Sequence, residues 1–375
     1  MRGYWYHRRI RGLAWQALAI GGALSLGVYL ITNLIGNLEH QGIASGFDFL
    51  DTAAGFGITM SLIEYSEQSS YARAFVVGLL NTILVSVLGV ACATVLGFAV
   101  GLGRLSSNWL VARLSQVYVE TIRNIPLLLQ IFFWYFLALN MLPGPRQSYA
   151  LGEMIFLNNR GLYVPGLVFE SAGGWAAVGF ALWLIVFLAV RRAAGTSRCL
   201  SLVPWAAGAA LALSLVIGIP TSATVPELRG FNFQGGWVLI PELVALLAAL
   251  SIYTAAFIAE IVRAGIEAVP RGQVEAAHAL GLDWRDILRR IVIPQALRVI
   301  IPPLTNQYLN LTKNSSLAAA IAYPDLVSVF AGTVLNQTGQ AVEVIAVTMA
   351  VYLVLSLTIS ALMNVYHWRL ARQGG

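Results

Sequence analysis

Nine polar residues crowd one short stretch of a largely apolar chain: Thr305, Asn306, Gln307, Asn310, Thr312, Lys313, Asn314, Ser315 and Ser316. Lys313 is the only lysine in the protein. An ammonium beside the amides of Asn310 and Asn314, which stand one helical turn apart, has the chemistry to hold a carboxylate, not to cleave a bond. Polar groups buried without partners cost about 2–7 kcal/mol each, so this stretch cannot face hydrocarbon along its length. Glu260 and Asn81 join it as candidate lining of a path through the protein. Each has an alternative. Lys313 can pair with a structural acid or extend its long stem to a membrane surface. Glu260 can pair locally with Arg263 at i,i+3. Asn81 and its neighbour Thr82 can bond between helices. The aromatic run Phe132–Phe136 reads as packing, with substrate stacking as the alternative.

Enzyme-like constellations are missing from the sequence. The sole lysine follows Thr312 rather than a glycine, so there is no P-loop to cradle a nucleotide. His7, His40, His278 and His367 are too scattered for metal-ligand spacing. No G-x-S-x-G elbow occurs. The chain reads as a non-enzyme that binds no metal and no cofactor of its own. Cys92 and Cys199 lie in or beside apolar runs and support no disulfide framework.

The elements that must position these residues are membrane-like. A hydrophobic content of 58%, a charged content of 11% and a mean hydropathy of +0.75 fall outside soluble usage. A helical crossing needs about 20 apolar residues. Eight candidates are present: Leu13–Ile35, Ala74–Leu102, Ile125–Leu142, Trp175–Val190, Leu200–Ile219, Val238–Val262, a weak one near Val299–Tyr323 and Val342–Met363. The weak one is interrupted by Pro302, Pro303 and Lys313. Alternating ten-residue patterns of a membrane barrel are absent. The expected fold class is therefore all-α, a polytopic helical membrane protein of about eight transmembrane helices. The first apolar run reads as a retained anchor, not a removed signal peptide.

If the N-terminus is cytoplasmic and the crossings alternate, eighteen arginines fall inside. Only Arg73, Arg146, Arg160 and Arg229 fall outside, as the positive-inside rule requires. Both termini are then cytoplasmic. The outer loop Gly36–Ala72 is acidic, with Glu39, Asp48, Asp51, Glu64 and Glu67. The formal charge of +6 reflects this topology rather than a nucleic-acid partner.

On the cytoplasmic side lies EAAHALGLDWRDILRRIVIP, Glu275 to Pro294, dense in Glu, Asp and Arg. The pattern predicts a first helix after Pro270, with Val274, Ala277 and Leu280 on one face. Gly281 ends it in a left-handed cap. Asp283 then offers an N-cap carboxylate, with Asp286 in the first turn. Leu282 and Ile287 stand at staple positions. Arg285, Arg289 and Arg290 point away from the apolar face of this second helix, and Pro294 closes or kinks it. The small residues Ala276, Ala277 and Gly281 allow close approach by a partner. An amphipathic helix on lipid headgroups is the alternative. A DNA-reading helix-turn-helix is disfavoured because crossings tether the loop on both sides.

Glu275-Ala276-Ala277, then Gly281, then Ile291-Val292-Ile293-Pro294 resembles the EAA loop of permease subunits in bacterial ABC importers. Arg123–Phe136, Tyr253–Gln273 and Pro294–Leu317 resemble, more narrowly, the permeases of polar amino-acid importers, which handle histidine, glutamate, glutamine, arginine and opines. Ile293 departs mildly from the usual Leu before proline, and Ile125 from the usual Thr or Gly. An extra first crossing and an insertion near Pro145–Gly236 are similar to the longer permease of the general L-amino-acid transporter. The resemblance implies a type I importer core with extra peripheral helices. It implies Glu275, Ala276, Ala277, Gly281, Asp283 and Arg285 as the ATPase-coupling face, with ATP and Mg on two copies of a separate ATPase subunit. It also implies a second, shorter permease, a periplasmic amino-acid-binding protein, and a place in the bacterial inner membrane.

The expected organisation is an N-terminal anchor and outer loop at 1–72 and a first core part at 73–142. An inserted segment with two extra crossings follows at 143–237. The second core part at 238–375 carries the coupling loop at about 264–298. The rival function is a stand-alone ion-coupled amino-acid transporter, but Glu120, Glu242, Glu260, Asp325 and Glu343 all fall near crossing ends, which leaves no acid relay. A membrane enzyme or scaffold is a third class.

Overall fold

A computed structural model describes residues 8–40, 46–152, 154–170, 219–230 and 232–372. Helix α1 runs Arg8–His40, α2 Tyr71–Arg104, α3 Trp109–Asn124 and α4 Leu127–Met141. After a β-rich segment come α5 (Pro241–Glu267), α6 (Arg271–Ala279), α7 (Trp284–Ile287) and α8 (Ile293–Asn314). Short α9 (Leu335–Thr338) and long α10 (Ala341–Arg372) complete the series.

Among the described residues, Tyr71–Arg104, Pro241–Glu267 and Ala341–Trp368 are long and apolar enough to cross a membrane. The pair Trp109–Asn124 and Leu127–Met141, broken at Pro126, makes a fourth if counted as one. These carry the expected second, sixth, eighth and third crossings. The expected first lies within α1, whose apolar stretch Ala14–Leu30 is shorter. The expected fourth and fifth fall outside the described residues, apart from Ile219, which begins a strand.

The seventh expectation needs correction. Pro302 and Pro303 do not interrupt the helix, and α8 is continuous through both to Asn314. Pro302 removes the donor that a carbonyl four residues back would use. Thr305, past both prolines, donates its hydroxyl to the Ile301 carbonyl at 2.9 Å. The break comes later. A 3-10 stretch at Ser315–Ile321 ends in Ala322, whose φ of 57° is left-handed, and a π-helical stretch covers Val327–Val334.

The chain forms two compact units. The first comprises Met1–Asn124 and Leu250–Gly375. Its cluster of buried residues joins Phe49, Ala54, Tyr71 and Ala74 to Leu326, Val329, Phe330, Val334 and Val344. The acidic loop after α1 is thus a packed cap. Its Gly46 N–H donates to Glu343 Oε1 at 3.0 Å, and Tyr71 donates to Gln337 Oε1 at 2.9 Å. Helix α2 presses its glycines on α5. A Cβ on Gly97 would stand 2.6 Å from Ile258 Cβ, and one on Gly101 2.8 Å from Val262 Cβ. Helix α3, an amphipathic element that hydropathy alone did not separate, is capped by Asn108 Oδ1, which accepts from Leu110 N and Val111 N.

The second unit, Ile125–Ala249, adds strands to the helical class. Strands β1 (Tyr149–Leu151), β2 (Ile155–Asn158), β3 (Gly161–Val164) and β8 (Trp237–Leu239) form an antiparallel sheet in the order β1-β2-β3-β8. Strand β4 (Gly166–Glu170) pairs with β5 (Ile219–Thr224), and β6 (Glu227–Arg229) with β7 (Asn232–Gln234). Strands of three to six residues are too short for a readable alternation.

Candidate functional site

The polar loop folds as its punctuation requires. Helix α6 ends with Leu280 as its cap. Gly281 N–H then donates to the His278 carbonyl at 2.9 Å, and Leu282 N–H to the Ala277 carbonyl at 3.2 Å. That is a Schellman closure, and Gly281 takes the left-handed φ of 76° that it demands. Asp283 caps α7 by accepting from Asp286 N at 2.8 Å. At the staple positions, Ile287 is fully buried and Leu282 half-buried.

Two features differ from the expectation. Leu280 lies beyond the helix and is 81% exposed, instead of sharing a face with Val274 and the buried Ala277. Pro294 does not close the second helix. From α7 the chain passes through a π-helical turn at Leu288–Val292 directly into α8. Proline has no N–H to donate, and the wide turn just before it accommodates the ring. A continuous helical rod therefore runs from the loop at Trp284 to Lys313 and Asn314.

Glu275, Ala276, Gly281, Asp283 and Arg285 are exposed on this loop, whereas Ala277 is buried. Between them stand two large apolar side chains, Leu280 and Trp284, the latter 55% exposed. The Trp284 ring stacks on His278 with centroids 6.0 Å apart. Sequence reasoning missed both as contact groups. The available signal was a leucine and a tryptophan flanking a capping glycine in a charged loop. Exposed aromatic and aliphatic anchors rimmed by charge are what a docking surface needs.

The candidate path residues separate into three places. Asn310 and Lys313 are exposed on one face of α8 together with Asn306, and Asn314 beside them is half-buried. Among the described residues Lys313 forms no ion pair. Thr312 and Ser315 face inward and donate to the carbonyls of Tyr308 and Thr312. Asn81 is fully buried and holds chain segments together. Its Nδ2 donates to the Met60 carbonyl at 2.9 Å and the Pro324 carbonyl at 2.8 Å. Thr82 beside it accepts from Leu326 N at 3.0 Å. Glu260 pairs with Arg263 at 2.6 Å and with Arg104, far from Asn81 along α2. No hydrogen bond or ion pair links these three groups among the described residues. No group of His, Cys, Asp and Glu suited to a metal occurs among them either.

An apolar helical protein whose charged loop runs on through helical turns into a polar-faced helix fits a membrane transport subunit. The chain belongs to the family described as binding-protein-dependent transport system inner membrane component, whose match spans residues 93–372. It is 54% identical over 377 residues to the putative amino-acid ABC transporter permease protein YhdX of Escherichia coli, covering 96% of this chain and 94% of that one. The general L-amino acid transport system permease protein AapQ of Rhizobium johnstonii is 48% identical over 382 residues, covering 99% and 94%. The glutamate/glutamine/aspartate/asparagine transport system permease protein BztB of Rhodobacter capsulatus is 42% identical over 400 residues, covering 96% and 94%.

Proposed function

We propose that this chain is the permease of an ATP-driven importer that carries L-amino acids, of broad or polar and acidic range, into the cytoplasm by alternating access. The names of its relatives support the substrate class. The observation that carries the mechanism is the continuous helical connection from the docking loop to the polar face at Asn306, Asn310 and Lys313. A push on Trp284 is delivered along α-helical and π-helical turns that run unbroken to the polar face. The loop residues Glu275, Ala276, Ala277, Gly281, Asp283 and Arg285, with Leu280 and Trp284, dock a separate ATPase, present in two copies and holding ATP and Mg. A second, shorter permease and a periplasmic binding protein complete the complex, both termini are cytoplasmic, and the site is the bacterial inner membrane. Lys313, with Asn310 and Asn314, meets the substrate carboxylate. The four-part organisation at 1–72, 73–142, 143–237 and 238–375 is kept, with the cap of residues 46–72 serving the core.

Gly281 supplies the test. A side chain there meets open space, but the left-handed backbone strains any L-residue except those, such as Asn, that tolerate it. Gly281→Asn is expected to keep the turn and the ATPase. Gly281→Trp is expected to insert normally and to lose the ATPase on purification in mild detergent. An ATPase retained by Gly281→Trp removes the docking role.

A further inference from the structure

We propose that Arg104, Glu260, Arg263 and Glu267 form an ionic latch that makes α2 and the inner half of α5 move as one body when the docking loop moves. This rests on the docking reading above and adds the route by which motion reaches α2. Arg104 is the last residue of α2, and its Nη1 pairs with Glu260 Oε2 on α5. Glu260 Oε1 takes Arg263 Nη2 at 2.6 Å, and Arg263 Nη1 in turn pairs with Glu267 Oε2. Both oxygens of Glu260 are engaged by cations, which suits a fastener and not a substrate contact.

The position gives the chain of charges its use. Only Ala268, Val269 and Pro270 separate Glu267 from α6, so displacement of the loop pulls directly on the end of α5. Deeper in the bundle, α2 meets α5 through Gly97 and Gly101 against Ile258 and Val262. The apolar attraction in that packing is non-directional. The ion pairs fix the register. The side chains of Arg104 and Glu260 are 14% and 29% exposed, so the pair is partly withdrawn from water and breaking it costs more than breaking a surface bridge. Removing Arg104 leaves Glu260 still paired with Arg263, so α5 keeps its own internal charges balanced. Arg104 and Glu260 are thus positioning residues for the transport step.

The test uses the whole transporter in proteoliposomes, with its ATPase, partner permease and binding protein, and labelled L-glutamate, L-glutamine and L-arginine. The readout is solute taken up per ATP hydrolysed. Arg104→Met is expected to keep stimulated hydrolysis within about twofold and to lower uptake per ATP roughly tenfold, a coupling change of ordinary size. Arg104→Lys, which keeps the charge, is expected to restore most of the ratio. An unchanged ratio in Arg104→Met, or hydrolysis and uptake falling in proportion, overturns the latch. If Arg104→Met does not reach the membrane, Arg104→Cys with Glu260→Cys decides, in a background of Cys92→Ser and Cys199→Ser. Bridging the pair with a short bismaleimide is expected to raise uptake per ATP, and loss of uptake on bridging overturns the proposal. Failure of the docking reading shows separately, as ATPase retention by Gly281→Trp.

Discussion

The Asn81 side-chain amide lies 2.8 Å from the Pro324 carbonyl, across 243 residues of sequence. It holds the break between the 3-10 stretch and the π-helical stretch against the middle of α2. Gly78, one turn earlier, makes room, since a Cβ there would stand 3.0 Å from Leu326 Cα. Tyr323 adds its hydroxyl to the Asn81 carbonyl at 3.3 Å, and Tyr352 donates to Asp325 at 3.4 Å. The irregular backbone just beyond Lys313 is therefore pinned on two sides.

Asn81→Ala strands the buried Pro324 carbonyl and the half-buried Met60 carbonyl. The expected loss is about 1–3 kcal/mol, mostly from the buried acceptor left without a donor. Thermal unfolding of the purified protein in detergent should show a clearly lowered Tm. A Tm equal to wild type would mean that the carbonyls find other donors.

Gly97→Val should prevent the close approach of α2 and α5, because the nearest obstacles are Ile258 Cβ at 2.6 Å and the Ala255 carbonyl at 3.0 Å. Overpacking of this kind costs about 1–3 kcal/mol or more. Adding Ile258→Ala clears the Cγ2 at 2.7 Å and leaves the Cβ, so the double variant should recover a fraction of the lost stability. No recovery would place the cost on the Cβ and backbone contacts.

Leu280→Asp and Trp284→Ala each remove an exposed anchor without touching the core, since both side chains point outward. Each is expected to weaken ATPase retention by about 2 kcal/mol or more, the size of a hot-spot loss. Titration of detergent-solubilised permease with the ATPase measures it. Arg289→Ala, an exposed position on the same stretch, serves as the near-neutral comparison.

Lys313→Gln keeps hydrogen bonding and removes the charge. If the ammonium holds the α-carboxylate shared by all amino acids, uptake of acidic, neutral and basic substrates should fall together, with folding unchanged. Loss confined to acidic substrates would instead assign Lys313 to side-chain recognition. Uptake assays with the three labelled classes separate these outcomes.

Much of the fold of the loop at Glu275–Pro294 was legible in the sequence, because its signals are local. A capping glycine and an N-cap aspartate act within one or two turns, and each appears where the residue order puts it. The exposure of Leu280 was not legible, because helical spacing assigns a face only while the helix lasts and this helix ends one residue earlier. The passage through Pro294 was not legible either. Proline reads as a stop, and only a π-helical turn, which has no sequence rule, carries the chain past it. The short strands escaped for a different reason: β3 finds its partner β8 some seventy residues away, and the pairing has no local periodicity to betray it.

The amino-acid order by itself determined that this chain is a bundle of apolar helices with a charged, punctuated loop and no nucleotide-binding loop of its own. Those properties follow from composition and from interactions spanning a few residues. Which polar groups fasten the protein and which stay exposed was decided only by tertiary structure. Asn81, Glu260 and Lys313 all look alike as polar residues in apolar runs. Their separation into a pin, a latch and an exposed cation depends on neighbours that packing brings from far along the chain.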